Sequence, residues 1–236
     1  MTEWTDSIVR KGFSQNYVIK KVIYSGKSKF QKIEIIEIPE FGKALFLDGV
    51  LQICESDSVI YDKSLVDPIF KINPNTKKIA ILGGGDGGVL REVLTHKVDK
   101  AIMIEIDKDV IDVCKKYLPE VCKSAFEDKR TSLMIEDATK VIKKEKDLDA
   151  VIVDLIDPEM MTKSREKDLY KALFLDIKNS LKKNGVISIQ LGSYYEKDLR
   201  DFILEIIKDN FKNISIKQVF IPSFVENWMF ATSIKK

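Results

Sequence analysis

Histidine is nearly absent from this chain: His96 stands alone among 236 residues. One histidine argues against a Ser-His-Asp hydrolase and against a histidine-rich metal centre, and no metal site is expected. His96 itself falls at the end of a predicted helix, where a cation is favoured by the helix dipole. Cysteine is scarce too. Cys54, Cys114 and Cys122 form no C-x-x-C pair, and an odd, widely spaced set points to buried thiols in a reducing compartment. No apolar run is long enough to span a membrane and no signal-peptide pattern is present, so a cytoplasmic location and no membrane partner are expected. Charge of one sign is missing as well. Lys and Arg number 39 against 37 Asp and Glu, a balance of +2 that gives no case for a nucleic-acid partner. Neither repeats nor low-complexity segments occur.

What is present is organised around residues 79–107. Ile79-Ala-Ile-Leu82 reads as a strand. Gly83-Gly84-Gly85-Asp86-Gly87-Gly88 follows, then a helical stripe, then the strand Ala101-Ile-Met-Ile-Glu105. Gly83, Gly85 and Gly88 satisfy G-x-G-x-x-G, and an acid follows about 20 residues later, as a nucleotide-binding βαβ unit requires. Glu105 is placed to accept hydrogen bonds from two ribose hydroxyls. Asp86, inside the turn, decides what kind of nucleotide fits. A pyrophosphate there would meet a carboxylate, which disfavours NAD, FAD and ATP. A ribosyl adenine without phosphates, and preferably cationic, suits it better; the S-adenosyl sulfonium compounds meet both conditions.

The segments on either side differ. Residues 1–70 carry short stretches of strand character at 18–25, 32–38, 43–47 and 50–54, with Asp48-Gly49 as a hairpin turn, and then a helix over 59–70. This predicts a small N-terminal antiparallel β-domain and connecting helix. Over 71–236 strands and helices alternate. Further strands are predicted at 132–135, 150–153 and 186–190, a helix closes at Asn184-Gly185, and an antiparallel hairpin of 215–222 and 228–234 ends the chain. The fold class is therefore α/β: a Rossmann-like, doubly wound sheet of the class I methyltransferase type behind a small antiparallel β-domain. Ligands bind beyond the C-terminal strand ends of such sheets. Asp86, Glu105, Asp137, Asp154, Asp157 and Gln190 stand at those ends. An acid after a strand is a common turn or N-cap device, but five on one rim of a near-neutral protein would concentrate a polycation. Trp228 and Phe230 read as strand-core aromatics.

These motifs resemble the spermidine and spermine synthases, the polyamine aminopropyltransferases. The resemblance rests on Phe41-Gly-Lys-Ala-Leu-Phe-Leu-Asp-Gly-Val-Leu-Gln52, Glu55-Ser-Asp57, Tyr61, the glycine block 83–88, Glu105-Ile-Asp107, Glu136-Asp137-Ala138, Asp154-x-x-Asp157-Pro158 and Ile221-Pro-Ser-Phe224-x-Glu226-x-Trp228. It implies decarboxylated S-adenosylmethionine as co-substrate, no prosthetic group, a polyamine acceptor and a homodimer or dimer of dimers. By position, Gln31, Gly83, Gly85, Asp86, Glu105, Asp137 and Ala138 match the donor site. Asp154 matches the catalytic aspartate. Tyr61, Asp86, Asp154, Asp157, Gln190, Phe224 and Glu226 match the acceptor side.

The sequence departs from the spermidine synthase pattern around the acceptor. Asp154-Leu155-Ile156-Asp157 replaces a small-residue Asp-Ser-Ser-Asp, and Phe224 stands where a tyrosine is usual. The closing 222–228 segment looks more like that of spermine and thermospermine synthases, with Glu226 holding the far amine of a longer acceptor; the bland alternative makes Glu226 a hairpin-turn residue. Both putrescine and spermidine stay open as acceptors. Two other readings also stay open: an S-adenosylmethionine-dependent methyltransferase on the same sheet, and a non-catalytic paralogue.

Overall fold

The computed structural model describes residues 3–10, 13–155 and 164–236. Three sheets are present among them. β1 (Glu3–Arg10) and β2 (Phe13–Ile19) form an antiparallel hairpin. β3 (Lys21–Lys27), β4 (Lys32–Ile38), β5 (Gly42–Leu47) and β6 (Val50–Cys54) form a four-stranded antiparallel sheet in sequence order. α1 (Ser58–Ile72) leads into the third sheet. Its strands are β7 (Lys78–Gly83), β8 (Lys100–Glu105), β9 (Thr131–Ile135), β10 (Leu148–Asp154), β11 (Leu181–Ser193), β12 (Phe211–Ile221) and β13 (Glu226–Lys235). They lie in the order β12-β13-β11-β10-β7-β8-β9. β7 to β11 run parallel, and β13 is antiparallel to both β11 and β12. This is the doubly wound sheet with a closing hairpin that the alternation of apolar strands and amphipathic stripes requires.

The parallel strands are buried on both faces, so they read as continuous aliphatic runs rather than alternations. Ile79, Ala80, Ile81 and Leu82 are fully inaccessible, as are Ala150, Val151 and Ile152. The helices α2 (Gly88–Leu94), α3 (Lys108–Tyr117), α4 (Pro119–Cys122), α5 (Ala138–Val141), α6 (Ser164–Ser180) and α7 (Lys197–Asn210) connect them. Strand order reverses at β7, which has β8 on one side and β10 on the other. This switch point is where an open α/β sheet leaves a crevice. Registry places Gly83 opposite Asp154 there, so the glycine turn and the aspartate rise side by side.

The four-stranded sheet packs over the same end of the large sheet. Ile33, Ile35, Leu45, Leu47 and Ile53 bury against Val110, Val113 and Cys114 of α3. The Asp48-Gly49 turn behaves as its sequence requires. Both residues have positive φ, 49° and 82°, and the Asp48 carboxylate accepts the Lys32 amide at 2.8 Å. A Cβ on Gly49 would meet nothing within 4 Å. Gly49→Ala therefore carries backbone strain alone, and a loss of about 1 kcal/mol is expected, read as a fall in Tm of about 2–4 °C. The three cysteines are free and buried. No helix among the described residues is long and apolar enough to cross a membrane.

Two local expectations are corrected. The strand predicted over 18–25 is divided by a bend at Lys20, and the first part pairs with β1, which sequence pattern did not reveal. The helix expected to run to Asn184-Gly185 ends at Ser180, where the Ser180 hydroxyl donates to the Ile177 carbonyl at 2.8 Å. Residues 182–185 then bulge out of register between the Leu148–Leu181 and Ala150–Val186 pairs. The bulge lets Lys182 reach the Asp149 carboxylate at 2.7 Å.

Candidate active site

A cavity of about 370 Å³ opens at the switch point between the glycine turn, the ends of β8 and β10, the β5–β6 hairpin and the start of β13. Its base is the turn itself. Gly83 has φ +83°, and a Cβ there would lie 2.2 Å from the Asp154 carbonyl oxygen, so only glycine lets the two strand ends approach. Asp86 curls back within the turn, its Oδ1 accepting the Gly88 amide at 2.8 Å. Glu105 ends β8, with Oε1 accepting the Asp107 amide at 2.8 Å. Asp137 caps α5 through Oδ1, which takes the Thr139 amide at 2.9 Å and its hydroxyl at 2.7 Å. The turn and cap roles and the cavity position coexist in these residues.

Gln31 reaches the site from the four-stranded sheet. Its amide nitrogen donates to Asp107 Oδ2 at 3.0 Å, and Ser28 donates to the same oxygen at 2.6 Å. Asp107 also caps α3, so this one carboxylate fixes the sheet to the helix beside the cavity. Tyr61 points from α1 to Asp154, its hydroxyl donating to Oδ1 at 2.7 Å. Gln190 braces the far wall. Its amide donates to the Leu155 carbonyl at 3.1 Å, while its oxygen accepts the Gly192 amide at 2.9 Å and the Trp228 indole at 3.1 Å.

Glu226 is the first residue of β13, is buried, and accepts the Ser193 hydroxyl at 2.5 Å. It faces the cavity rather than occupying a solvent-exposed turn. Phe224 packs edge-on against Tyr61 and Trp228, at centroid distances of 6.4 and 5.0 Å. Trp228 also lines the cavity, which corrects its reading as core; Phe230 is core as expected.

Asp86, Glu105, Asp137, Asp154 and Glu226 thus share one cavity, together with Gln31, Tyr61, Gly83, Gly85, Ala138, Gln190 and Phe224. No Lys or Arg stands among the described residues that line it. Asp157 and the loop that follows it lie outside the described residues. Burial pushes the Asp86 carboxyl above the usual range, against hydrogen bonds that lower it. Glu105 is raised for the same first reason, with Asp107 and Asp86 adding like charge. Such a site favours a cation, which replaces the lost hydration of these acids.

Several residues escaped the sequence reading. Gln15 and Tyr17 of β2 line the cavity together with Phe224 and Glu226. The Tyr17 hydroxyl donates to the Ser223 carbonyl at 2.7 Å, and Asp57 accepts the Ser223 amide at 2.7 Å. The only sequence signal for the β2 pair was their i, i+2 spacing, which sets both on one face of a strand. Beneath the glycine turn, Asp62 is fully buried and its Oδ2 accepts Arg91 Nη2 at 2.7 Å. Burial drives the Asp62 carboxyl upward, with the charge of Asp86 adding and Arg91 opposing.

Comparison with known proteins agrees with this geometry. A sequence profile described as the spermine/spermidine synthase domain matches residues 46–236, and one described as the spermidine synthase tetramerisation domain matches residues 2–55. The chain is 37% identical over 224 residues to polyamine aminopropyltransferase 1 of Hyperthermus butylicus, covering 92% of this chain and 76% of that protein. It is 38% identical over 223 residues to the polyamine aminopropyltransferase of Caldicellulosiruptor saccharolyticus, covering 92% and 78%. Among solved structures, spermidine synthase from Thermotoga maritima superposes with a TM-score of 0.89 at 29% identity, over 99% of this chain and 79% of that one. A spermidine synthase in complex with the transition-state analogue AdoDATO superposes with a TM-score of 0.91 at 31% identity, over 99% and 80%. The fold is thus shared over 99% of the chain with solved spermidine synthases, and the chain belongs to the spermine/spermidine synthase family.

Proposed function

We propose that this protein transfers an aminopropyl group from decarboxylated S-adenosylmethionine to an amine of a polyamine, releasing methylthioadenosine. The observation that carries the reading is Asp86 within the glycine turn, in a cavity lined by five carboxylates and no described base. Decarboxylation leaves an ammonium where S-adenosylmethionine bears a carboxylate, and Asp86 favours the former. Glu105 holds the ribose hydroxyls, Asp137 with Ala138 receives the adenine edge, and Gln31 closes the donor from the overlying sheet. The acceptor amine attacks the propyl carbon next to the sulfonium. A carbon–nitrogen bond forms, the carbon–sulfur bond breaks, and its electron pair stays on sulfur as a neutral thioether. Such a leaving group calls for no Lewis acid.

An amine with an aqueous pKa of roughly 10 is protonated at neutral pH and must lose that proton to become a nucleophile. Asp154, oriented by Tyr61, holds this amine and accepts the proton. Glu226 sits two strands away across β11, roughly 10 Å in strand spacing. It takes the distal ammonium of the acceptor, and Gln190, Phe224 and Trp228 form the channel wall between. The profile match at residues 2–55 supports assembly through the N-terminal strands, as a homodimer or a dimer of dimers.

The acceptor end is tested by a panel of putrescine, cadaverine, agmatine, spermidine and spermine with the wild type and Glu226→Gln. If Glu226 holds the distal amine, the variant raises KM for the preferred acceptor by about tenfold or more with kcat little changed. A preference for spermidine identifies a triamine acceptor; a preference for putrescine identifies a spermidine synthase. An unchanged KM would remove Glu226 from the site.

A further inference from the structure

A second group of ligand-bearing side chains lies outside the catalytic cavity. Asp67 on α1, Glu92 on α2 and His96 just beyond α2 come together where the two helices pack. One ligand atom of each lies within 4.8 Å of the others. His96 Nε2 is 3.9 Å from Asp67 Oδ1, too far for a hydrogen bond. That nitrogen is buried and has no hydrogen-bond partner among the described residues. The ring is held in this attitude by Phe70, whose face it stacks at 3.7 Å and 4°.

Glu92 supplies the second observation. Its side chain is only 7% exposed, and its one ion-pair contact among the described residues is Arg91 Nη2 at a distant 4.0 Å. Arg91 is committed elsewhere, to Asp62 at 2.7 Å and to the Val121 carbonyl at 2.8 Å. A buried ring nitrogen without a hydrogen-bond partner is costly unless something joins it, and the largely buried Glu92 carboxylate beside it has only the distant Arg91 contact among the described residues. Glu92 and His96 are four residues apart, the spacing that puts two side chains on one helix face. Asp67 faces them from the neighbouring helix.

We propose that Asp67, Glu92 and His96 form a divalent transition-metal site of the zinc class that pins α1 to α2. An imidazole nitrogen with two carboxylate oxygens is a donor set for such an ion. Tetrahedral bonds of about 2.0–2.2 Å place ligand atoms about 3.4 Å apart, so the present spread of up to 4.8 Å closes on an ion with side-chain movements of roughly 1 Å. The open positions go to water. The ion binds outside the cavity, yet it bears on it: α1 carries Tyr61 and α2 begins at the glycine turn.

The test is zinc titration of the chelator-treated full chain by calorimetry, with thermal melts alongside. One ion per chain is expected. At a hundredfold excess over its Kd the Tm rises by about 5–10 °C. Both signals are lost in Asp67→Asn and in His96→Asn. Asp67 is partly exposed, and circular dichroism verifies the fold of its variant. Cobalt(II) substitution gives visible absorption bands in the wild type that both variants lack. Absence of zinc-dependent heat and melting shift in the wild type overturns the proposal. So does equal binding by the variants, which would place the ion on the cysteines or elsewhere.

Discussion

Asp154→Asn is expected to lower kcat by about 10²–10⁴-fold while donor affinity stays near that of the wild type. The carboxylate ends β10 opposite Gly83, and its Oδ1 receives the Tyr61 hydroxyl at 2.7 Å. An asparagine keeps the shape and one acceptor oxygen but takes no proton. The attacking amine must then reach the site already neutral, a small fraction at pH 7 for a group of pKa roughly 10. The variant's rate should therefore climb steeply with pH and approach the wild type in alkali, which a merely structural role would not produce. Initial rates of methylthioadenosine release across pH measure this. A variant within about threefold of wild type at neutral pH removes Asp154 from the proton path.

Asp86→Asn is expected to weaken binding of decarboxylated S-adenosylmethionine by about 10²-fold, and of the carboxylated compound far less. Asparagine preserves an acceptor for the Gly88 amide, which the carboxylate takes at 2.8 Å, so the turn survives and only the charge is lost. The preference between the two donors narrows accordingly, as calorimetric Kd values for both will report. A pH signature accompanies it. Asp86 and Glu105 titrate above the usual carboxylate range because they are buried. Acidification therefore protonates them early, and donor affinity begins to fall at a higher pH than ordinary carboxylates would give. The stability of the unliganded protein moves the other way. A carboxyl whose pKa is raised in the folded state contributes stability below its unfolded value and loses it as pH rises through the folded one. Equal weakening of both donors in Asp86→Asn would contradict the charge argument.

The parts of the fold that were legible are those where local chemistry leaves few choices. Ile79–Leu82 is too apolar and too short for anything but a buried strand. The glycines after it permit the positive φ that the turn takes at Gly83. Asp48-Gly49 fixed the β5–β6 hairpin for the same reason. The acids of the rim stood out because each follows a run of aliphatic residues. What sequence did not reveal depends on contacts between distant segments. β1 and β2 mix polar and apolar residues without a clean period, so the hairpin that brings Gln15 and Tyr17 to the cavity carried no signal. Asp62 and Arg91 are 29 residues apart, and only the packing of α1 on α2 makes them a buried pair. Trp228 sits on the same strand as core aromatics, but a bond from its indole to Gln190 turns it into cavity wall. Glu226 was ambiguous as a residue near a tight link; its burial against Ser193 resolves where it lies.

The central claim is aminopropyl transfer, and product analysis addresses it most directly. The purified chain is incubated with decarboxylated S-adenosylmethionine and a polyamine, in parallel with S-adenosylmethionine and the same amine, and the products are separated by chromatography. The account predicts methylthioadenosine and an aminopropylated amine in equal amounts from the decarboxylated donor, and neither from the carboxylated one. Methylated product with S-adenosylhomocysteine from S-adenosylmethionine, and no methylthioadenosine from the decarboxylated donor, would contradict it.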